Sequence, residues 1–400
     1  MNYYILPKKN SIIDINPTIS LLDSNNITPI ISHNVISYLS EINEILHNSI
    51  KNPDELNEYN IEFIYQMINP YEFIFSKVPG FKLSISKLKP FSNTFYILLE
   101  IISTINLFST CMSDIKTMHY GANSDSTIEC INMIRDDNSD IHMKAELLNP
   151  EINGFIKLPS FIIENSFDFL YFELNKDVYK NDNINSYICG LIVTLCHIIT
   201  YQNTNGISII KIDTLYYKSI LDIVFILTNL YDKVYIIKPS ISNINSSERY
   251  IVCKSFISNF TKKQINANYL TIINNTLIEH ISFQYKDTQI ISSLIKNNLP
   301  YYFLNKIEDL NIIIGHQQLE YIDQFINIIK NKNKTDKLEM YKKNNIQKCI
   351  QWCEKYKIPC NKLLNKTNIF LHPYNENETN EHAIDEIIDE ENTLILLLNV

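Results

Sequence analysis

Residues 206–256 open with GISIIKID and close with LYDKVYIIKPSISNINSSERYIVCKSF. Gly206 punctuates the chain, and the apolar, isoleucine-rich run 207–212 has strand length and composition. Residues 217–230 then carry apolar side chains at helical spacing. Residues 234–237 and 250–253 are two further short strands. Only a Pro/Ser/Asn loop separates them. A parallel pair needs a longer crossover, so these two strands are predicted to be antiparallel.

The same alternation runs upstream. Residues 115–120, 140–147 and 167–173 read as strands, and 126–134 and 184–201 as helices. Such alternation predicts an α/β fold: a Rossmann-like sheet, mostly parallel with the last strand antiparallel, and helices on both faces. The predicted organisation has four parts. Residues 1–110 form a helical N-terminal flank, clearest at 36–50 and 95–107, with Pro70, Pro79, Gly80 and Pro90 breaking the pattern between them. Residues 111–260 form the sheet domain. Residues 261–375 form a helical C-terminal region, clearest at 301–330 and 337–356. Residues 376–400 form an acidic tail whose apolar end, 394–400, is expected to dock.

Composition narrows the function classes. Hydrophobic residues make up 45% of 400, enough for a sizeable core. A formal net charge of −9 excludes a chain that is a polyanion binder over its whole surface. Any RNA site is then a local basic groove, for which Lys77, Lys82, Lys87 and Lys89 are the candidates; an ordinary solvated face is the alternative. Arginine occurs only at 135 and 249, and the abundance of Asn, Ile, Lys and Tyr reads as A/T-rich coding. The cysteines show no CxxC pair. Cys349 and Cys353 share a helical face with Trp352 and Tyr356, which suits helix core, with metal or a disulfide as the other option. No metal site is expected, because the histidines lack ligand spacing such as HExxH. GxGxxG is absent too, which argues against a Rossmann dehydrogenase. The start lacks the order of a signal peptide, and the longest apolar stretch, 187–200, is too short to span a bilayer. A soluble protein in a reducing, intracellular compartment is expected.

The strand ending at Lys211, the Lys238-Pro239 pair and the Ser247-Glu248-Arg249-Tyr250 run occur in an order and spacing that resemble the C-terminal half of the FtsJ-like RNA 2′-O-methyltransferase core. Asn69-Pro70-Tyr71-Glu72, Lys77-Val78-Pro79-Gly80 and Ser86-Lys87-Leu88-Lys89 resemble the leader of the members from large nucleocytoplasmic DNA viruses. Residues 345–353, NIQKCIQWC, resemble their helical tail. The resemblance covers most of 65–360 in patches. It implies S-adenosylmethionine (SAM) as cofactor, RNA as substrate (mRNA caps among the options), and partners in RNA processing or a virion. It also implies a host-cytoplasm or virion location.

The family uses a Lys-Asp-Lys-Glu tetrad to hold and deprotonate a ribose 2′-hydroxyl, which is a poor nucleophile at neutral pH. By motif, the second lysine is Lys211 and the glutamate is Glu248. The first lysine falls on Lys89, or Lys87. The aspartate position falls on Glu173, a departure that lengthens the side chain by one methylene. Misplacement by about 1 Å can cost about 10²-fold in rate. A lysine that is partly buried, or close to other cations, loses its proton more easily.

The same resemblance places SAM against a Gly-Pro-Gly-Gly loop after the first strand. Here that loop reads Gly121-Ala122-Asn123-Ser124-Asp125-Ser126-Thr127, with one glycine. The implied cofactor contacts are Gly121, Ala122, Asn123 and Glu146, the last either a ribose-binding acid or an exposed strand-end charge. Side chains at 123–126 are expected to enter the cofactor's space, and Asp125 to repel its carboxylate, so weakened or lost SAM binding is predicted. Two readings follow: an RNA 2′-O-methyltransferase with an unusual loop, or a catalytically inactive RNA-binding or structural subunit on the same fold.

Overall fold

The computed structural model describes residues 2–7, 17–23, 28–51, 61–109, 113–136, 138–145, 166–174, 184–257, 289–330 and 334–362. The acidic tail and Glu146 lie outside these residues. The strands are β1 (Asn2–Ile5), β2 (Pro17–Asp23), β3 (Lys116–Tyr120), β4 (Ile141–Ala145), β5 (Phe167–Phe172), β6 (Gln202–Ile212), β7 (Tyr231–Lys238), β8 (Arg249–Phe256) and β9 (Gln289–Ile295). The α-helices are α1 (His33–Lys51), α2 (Ile61–Ile68), α3 (Thr94–Ile105), α4 (Ser124–Ile134), α5 (Ile184–Tyr201), α6 (Lys218–Leu230), α7 (Tyr301–Lys330) and α8 (Lys334–Lys355).

Seven strands form the main sheet in the order β1-β7-β8-β6-β5-β3-β4. The pairs β4–β3, β3–β5 and β5–β6 are parallel, and β8 runs antiparallel to both neighbours, as the short 239–248 loop requires. This is the predicted Rossmann-like arrangement. The sheet extends further than the sequence pattern indicated: β1 joins the edge antiparallel to β7. Residues 289–295 are strand rather than helix, pairing with β2 in a separate two-stranded sheet. Asp222, fully buried in the apolar α6, holds that small sheet in place. Its Oδ2 accepts from Ser293 Oγ (2.9 Å) and from the amides of Leu294 (2.8 Å) and Ile295 (3.2 Å). β6 starts at Gln202, directly after α5, and its pairing with β5 is irregular there, which moves the strand start ahead of the expected residue 207.

Alternation along the strands splits the core into two layers. Leu170, Phe172, Ile210 and Ile212 face α5 and α6. Phe169, Tyr171, Ile207, Ile209, Tyr250 and Val252 face the other way, toward α2, α3 and α8. The flanking helices α2, α3 and α8 therefore pack on this face, while α7 reaches both layers, with Phe303, Ile307, Leu310 and Ile314 in the first and Tyr321, Ile322 and Phe325 in the second. Cys349, Cys353 and Trp352 belong to this layer, buried.

Chain order reverses at β3: β4 lies on one side of it and β5 on the other. That is the switch point at which an open α/β sheet leaves a crevice beyond the carboxyl ends of its strands. The two strands approach closely just past those ends. Gly121 has φ +120°, and a Cβ there would lie 2.6 Å from the Glu173 carbonyl oxygen and 2.9 Å from Glu173 Cβ. Both the backbone conformation and the contact demand glycine. Gly121→Ala should cost about 2–4 kcal/mol of stability, read by chemical denaturation, from strain plus overpacking; an unchanged denaturation midpoint would contradict this account of the crevice.

Candidate active site

Three polar side chains meet at the carboxyl edge for reasons of strand parity. Glu173 follows Phe169 and Tyr171 on the same face, Lys211 follows Ile207 and Ile209, and Glu248 precedes Tyr250. β8 is antiparallel, so its beginning lies at the edge where β3, β5 and β6 end; Lys211 pairs with Tyr250 and Ile212 with Arg249. Lys211 Nζ is 2.7 Å from Glu173 Oε1 and 3.4 Å from Glu248 Oε2. All three side chains are largely buried, with 17%, 9% and 13% of their side-chain surfaces exposed.

The charge balance here differs from the expectation for a readily deprotonated lysine. Burial alone lowers the Lys211 pKa, but Glu248 and Glu173 together outweigh it, and the net shift is upward. Lys211 is thus a fixed ammonium at neutral pH. As an ammonium it can donate to a hydroxyl oxygen.

The loop that delivers Glu248 is organised by Lys238. Its Nζ donates to the carbonyls of Asn243 (2.9 Å), Ser246 (2.7 Å) and Glu248 (2.9 Å). Glu100, buried in α3, anchors the other end by accepting from the amides of Ser240 and Ile241, each at 3.1 Å. Sequence reading passed over Glu100, although an acid within FYILLEIISTI is a signal: a buried carboxylate in an apolar helix needs donors. Arg249 is also structural. It is fully buried, bonding Ser247 O (3.0 Å) and Asn311 Oδ1 (2.5 Å) of α7.

Lys89 does not join the cluster. It is exposed, and the ion pairs of Glu173 and Glu248 among the described residues both run to Lys211. Its segment does lie on the correct side of the sheet. The Leu88 carbonyl accepts from Tyr96 OH (3.0 Å), Phe91 N donates to Glu129 (3.3 Å), and Ser92 Oγ sits 2.8 Å from Ser126 Oγ. Residues 88–92 therefore rest against the first turns of α4. Lys87 is exposed beside it.

The loop after β3 is closed on itself. Asn123 Nδ2 lies 3.1 Å from both oxygens of Glu173. Ser124 Oγ donates to the Gly121 carbonyl at 2.6 Å. Thr127 Oγ1 donates to Ser124 O (2.8 Å) and so accepts from His119 Nδ1 (2.7 Å). Burial pushes His119 down to about 3, so the ring is neutral. Ala122 is exposed, and Asp125 pairs with Lys144 of β4. Residues 121–127 fit SAM poorly. The surviving glycine serves strand packing, and the hydroxyls of Ser124 and Thr127 are turned inward. The helix end that would favour an anion already carries Asp125 in its first turn.

The buried pairing has a pH signature. A lysine whose folded pKa is raised stabilises the fold below its unfolded value near 10.4, and that contribution is lost as pH rises through the folded value. Lys211→Met leaves two partly buried carboxylates without their cation and should cost about 2–4 kcal/mol at pH 8. The gap between variant and wild type should narrow above pH 10.4. A gap that is absent at pH 8, or constant into the alkaline range, would contradict the pairing.

No protein-family model matches the chain. The chain is 26% identical over 154 residues to the cap-specific mRNA (nucleoside-2′-O-)-methyltransferase 1A of Caenorhabditis briggsae, covering 38% of this chain and 17% of that protein. It is 24% identical over 154 residues, with the same coverage, to the inactive cap-specific mRNA (nucleoside-2′-O-)-methyltransferase 1B of that organism. The match thus spans about a sixth of the length of these relatives. Among solved structures, a provisionally named ribosomal RNA methyltransferase from Plasmodium falciparum overlaps 41% of this chain and 97% of its own, at 17% identity and a TM-score of 0.31. The sequence similarity bears out, at low identity, the resemblance to RNA 2′-O-methyltransferases, and the strand order is Rossmann-like.

Proposed function

We propose that this chain is an FtsJ-like RNA 2′-O-methyltransferase homologue that keeps three of the four ribose-facing positions, Glu173, Lys211 and Glu248, and whose SAM-facing half is weakened. The observation that carries the reading is the Glu173–Lys211–Glu248 cluster at the carboxyl edge of the sheet. A ribose 2′-hydroxyl is both donor and acceptor. At this cluster its oxygen accepts from the Lys211 ammonium, and its proton is directed to a carboxylate. That is the positioning such chemistry requires. Lys77, Lys82, Lys87 and Lys89 are exposed within one segment and supply local positive charge in a chain whose overall charge is negative. Phe91, at 77% exposure, adds a stacking surface beside them. Single-stranded RNA running along this segment would reach the cluster past the first turn of α4.

A second reading has an observation in its favour. The Asn123 amide spans both Glu173 oxygens and occupies part of the crevice at the switch point. A chain with this closure suits an RNA-binding or structural subunit of an RNA-processing or virion complex that performs no methyl transfer. The two readings part on cofactor binding. Calorimetric titration of the full chain with SAM should give no signal at micromolar concentration, whereas Asn123→Gly should recover binding by at least about tenfold, equivalent to about 1.4 kcal/mol. Micromolar binding by the wild type would overturn the weakened-cofactor reading and return the chain to the ordinary enzymes. A silent Asn123→Gly that still binds RNA would leave the subunit reading.

A further inference from the structure

Two stretches far apart in sequence share one surface. Residues 84–87 run antiparallel to 359–361, with Ser86 paired to Cys360. Lys87 N donates to the Pro359 carbonyl (2.9 Å), and Asn361 N to that of Ile85 (2.8 Å). The Asn361 side-chain amide adds a bond to Ser84 O (3.0 Å). At the other end, Lys342 of α8 stands 5.8 Å from the centre of the Phe81 ring. The segment after Phe81 therefore follows α8 down to this seam.

What the seam exposes is selective. Between 81 and 91 the exposed residues are Phe81, Lys82, Lys87, Lys89 and Phe91. Between 355 and 362 they are Lys355, Lys357, Pro359 and Lys362. Neither stretch contains an acid, in a chain of net charge −9. Glu354, just outside, pairs with Lys362 at 3.0 Å, and both side chains are about half exposed. An exposed pair of this kind is weak, so Lys362 can exchange it for another anion. Burial and Glu354 push the Cys360 thiol up while Lys362 and Lys87 both pull it down, so the two ammonium groups lie within electrostatic reach of one sulfur. Cations interleaved with open aromatic rings suit a single-stranded nucleic acid, whose phosphates meet the cations and whose bases stack. A membrane surface asks for apolar side chains grouped on one face, and here three lysines separate Phe81 from Phe91.

The seam also leads to the crevice. Residues 88–92 rest against the first turns of α4, and Asn123, which precedes α4, bonds both oxygens of Glu173. We propose that the seam carries the phosphate backbone of the RNA strand outside the nucleotide at Lys211, with Lys357 and Lys362 binding phosphates alongside Lys87. This rests on the RNA-binding reading above. It extends the track to the residues that follow α8, which that reading does not use.

The test is the salt dependence of binding between the full chain and a labelled single-stranded oligoribonucleotide. Each phosphate contact on a single strand contributes about 0.7 to the slope of log affinity against log salt. Removing two contacts with Lys357→Gln and Lys362→Gln together should lower that slope by about 1.4 and weaken binding about tenfold at roughly 0.1 M salt. Lys116→Gln with Lys233→Gln takes the same charge from exposed positions at the opposite edge of the sheet and should leave slope and affinity unchanged. Melting temperatures of both double variants confirm folding. Lys357 has a left-handed backbone, φ +58°; should its substitution perturb the fold, Lys362→Gln alone should lower the slope by about 0.7. RNA binding that the seam variants leave untouched, or that the control variants weaken equally, would overturn the proposal and spare the RNA-binding reading. Absence of RNA binding by the wild type would overturn both. Binding to vesicles of phosphatidylserine and phosphatidylcholine in place of RNA would assign the seam to a membrane surface instead.

Discussion

A lysine held between two carboxylates at the end of a sheet is the constraint around which this molecule is arranged. Lys211, Glu173 and Glu248 are mostly shielded from water, and together they carry one more negative charge than positive. Such an arrangement is costly unless each member has its partner in place, because an uncompensated charge at low exposure is strongly unfavourable. The ammonium is what makes the two acids tolerable, and they in turn keep it protonated. The cluster is therefore a fixed hydrogen-bonding template, with a donor between two acceptors.

The scaffold places the template with ordinary strand geometry. Two side chains project from the ends of parallel strands and the third from the start of an antiparallel one, so all three reach the same edge and face. The loop before β8 is held by internal ties. Lys238 gathers three of its carbonyls, and Glu100 takes two of its amides. Both are buried polar groups bonded to backbone groups of the loop. They tie the position of Glu248 to the integrity of α3 and β7.

Much of this was legible in the chain itself. The alternation of β-rich and helical segments fixed the sheet and the antiparallel last strand, and α5 and α7 fall at the expected residues. Lys211 and Glu248 were readable through the motifs that carry the family resemblance, and strand parity is what brings them to one face. What escaped the sequence had physical causes. β1 and β9 are short or isolated strands whose pairing is decided by tertiary contact, as for Asp222 holding β9 against α6. Lys89 seemed suited to the cluster because order along the chain cannot show that its segment stops at the first turn of α4. Asn123 looked like an intruder in a cofactor loop, and only coordinates reveal that its amide lies across Glu173. Polar residues inside helices, such as Glu100, stood out only as breaks in an apolar pattern.

The two halves of the crevice are thus built differently. On the β5–β6–β8 side Lys211 is held between two carboxylates; on the β3 side the hydroxyls of Ser124 and Thr127 bond within their own loop. The most direct test is whether the cluster reads a ribose hydroxyl. Equilibrium binding of the full chain to matched single-stranded RNA and DNA of one sequence, at fixed salt, should favour RNA, and Lys211→Met should erase the preference while leaving the DNA affinity unchanged. Equal binding of RNA and DNA by the wild type, or an RNA preference that survives in Lys211→Met, would contradict the account.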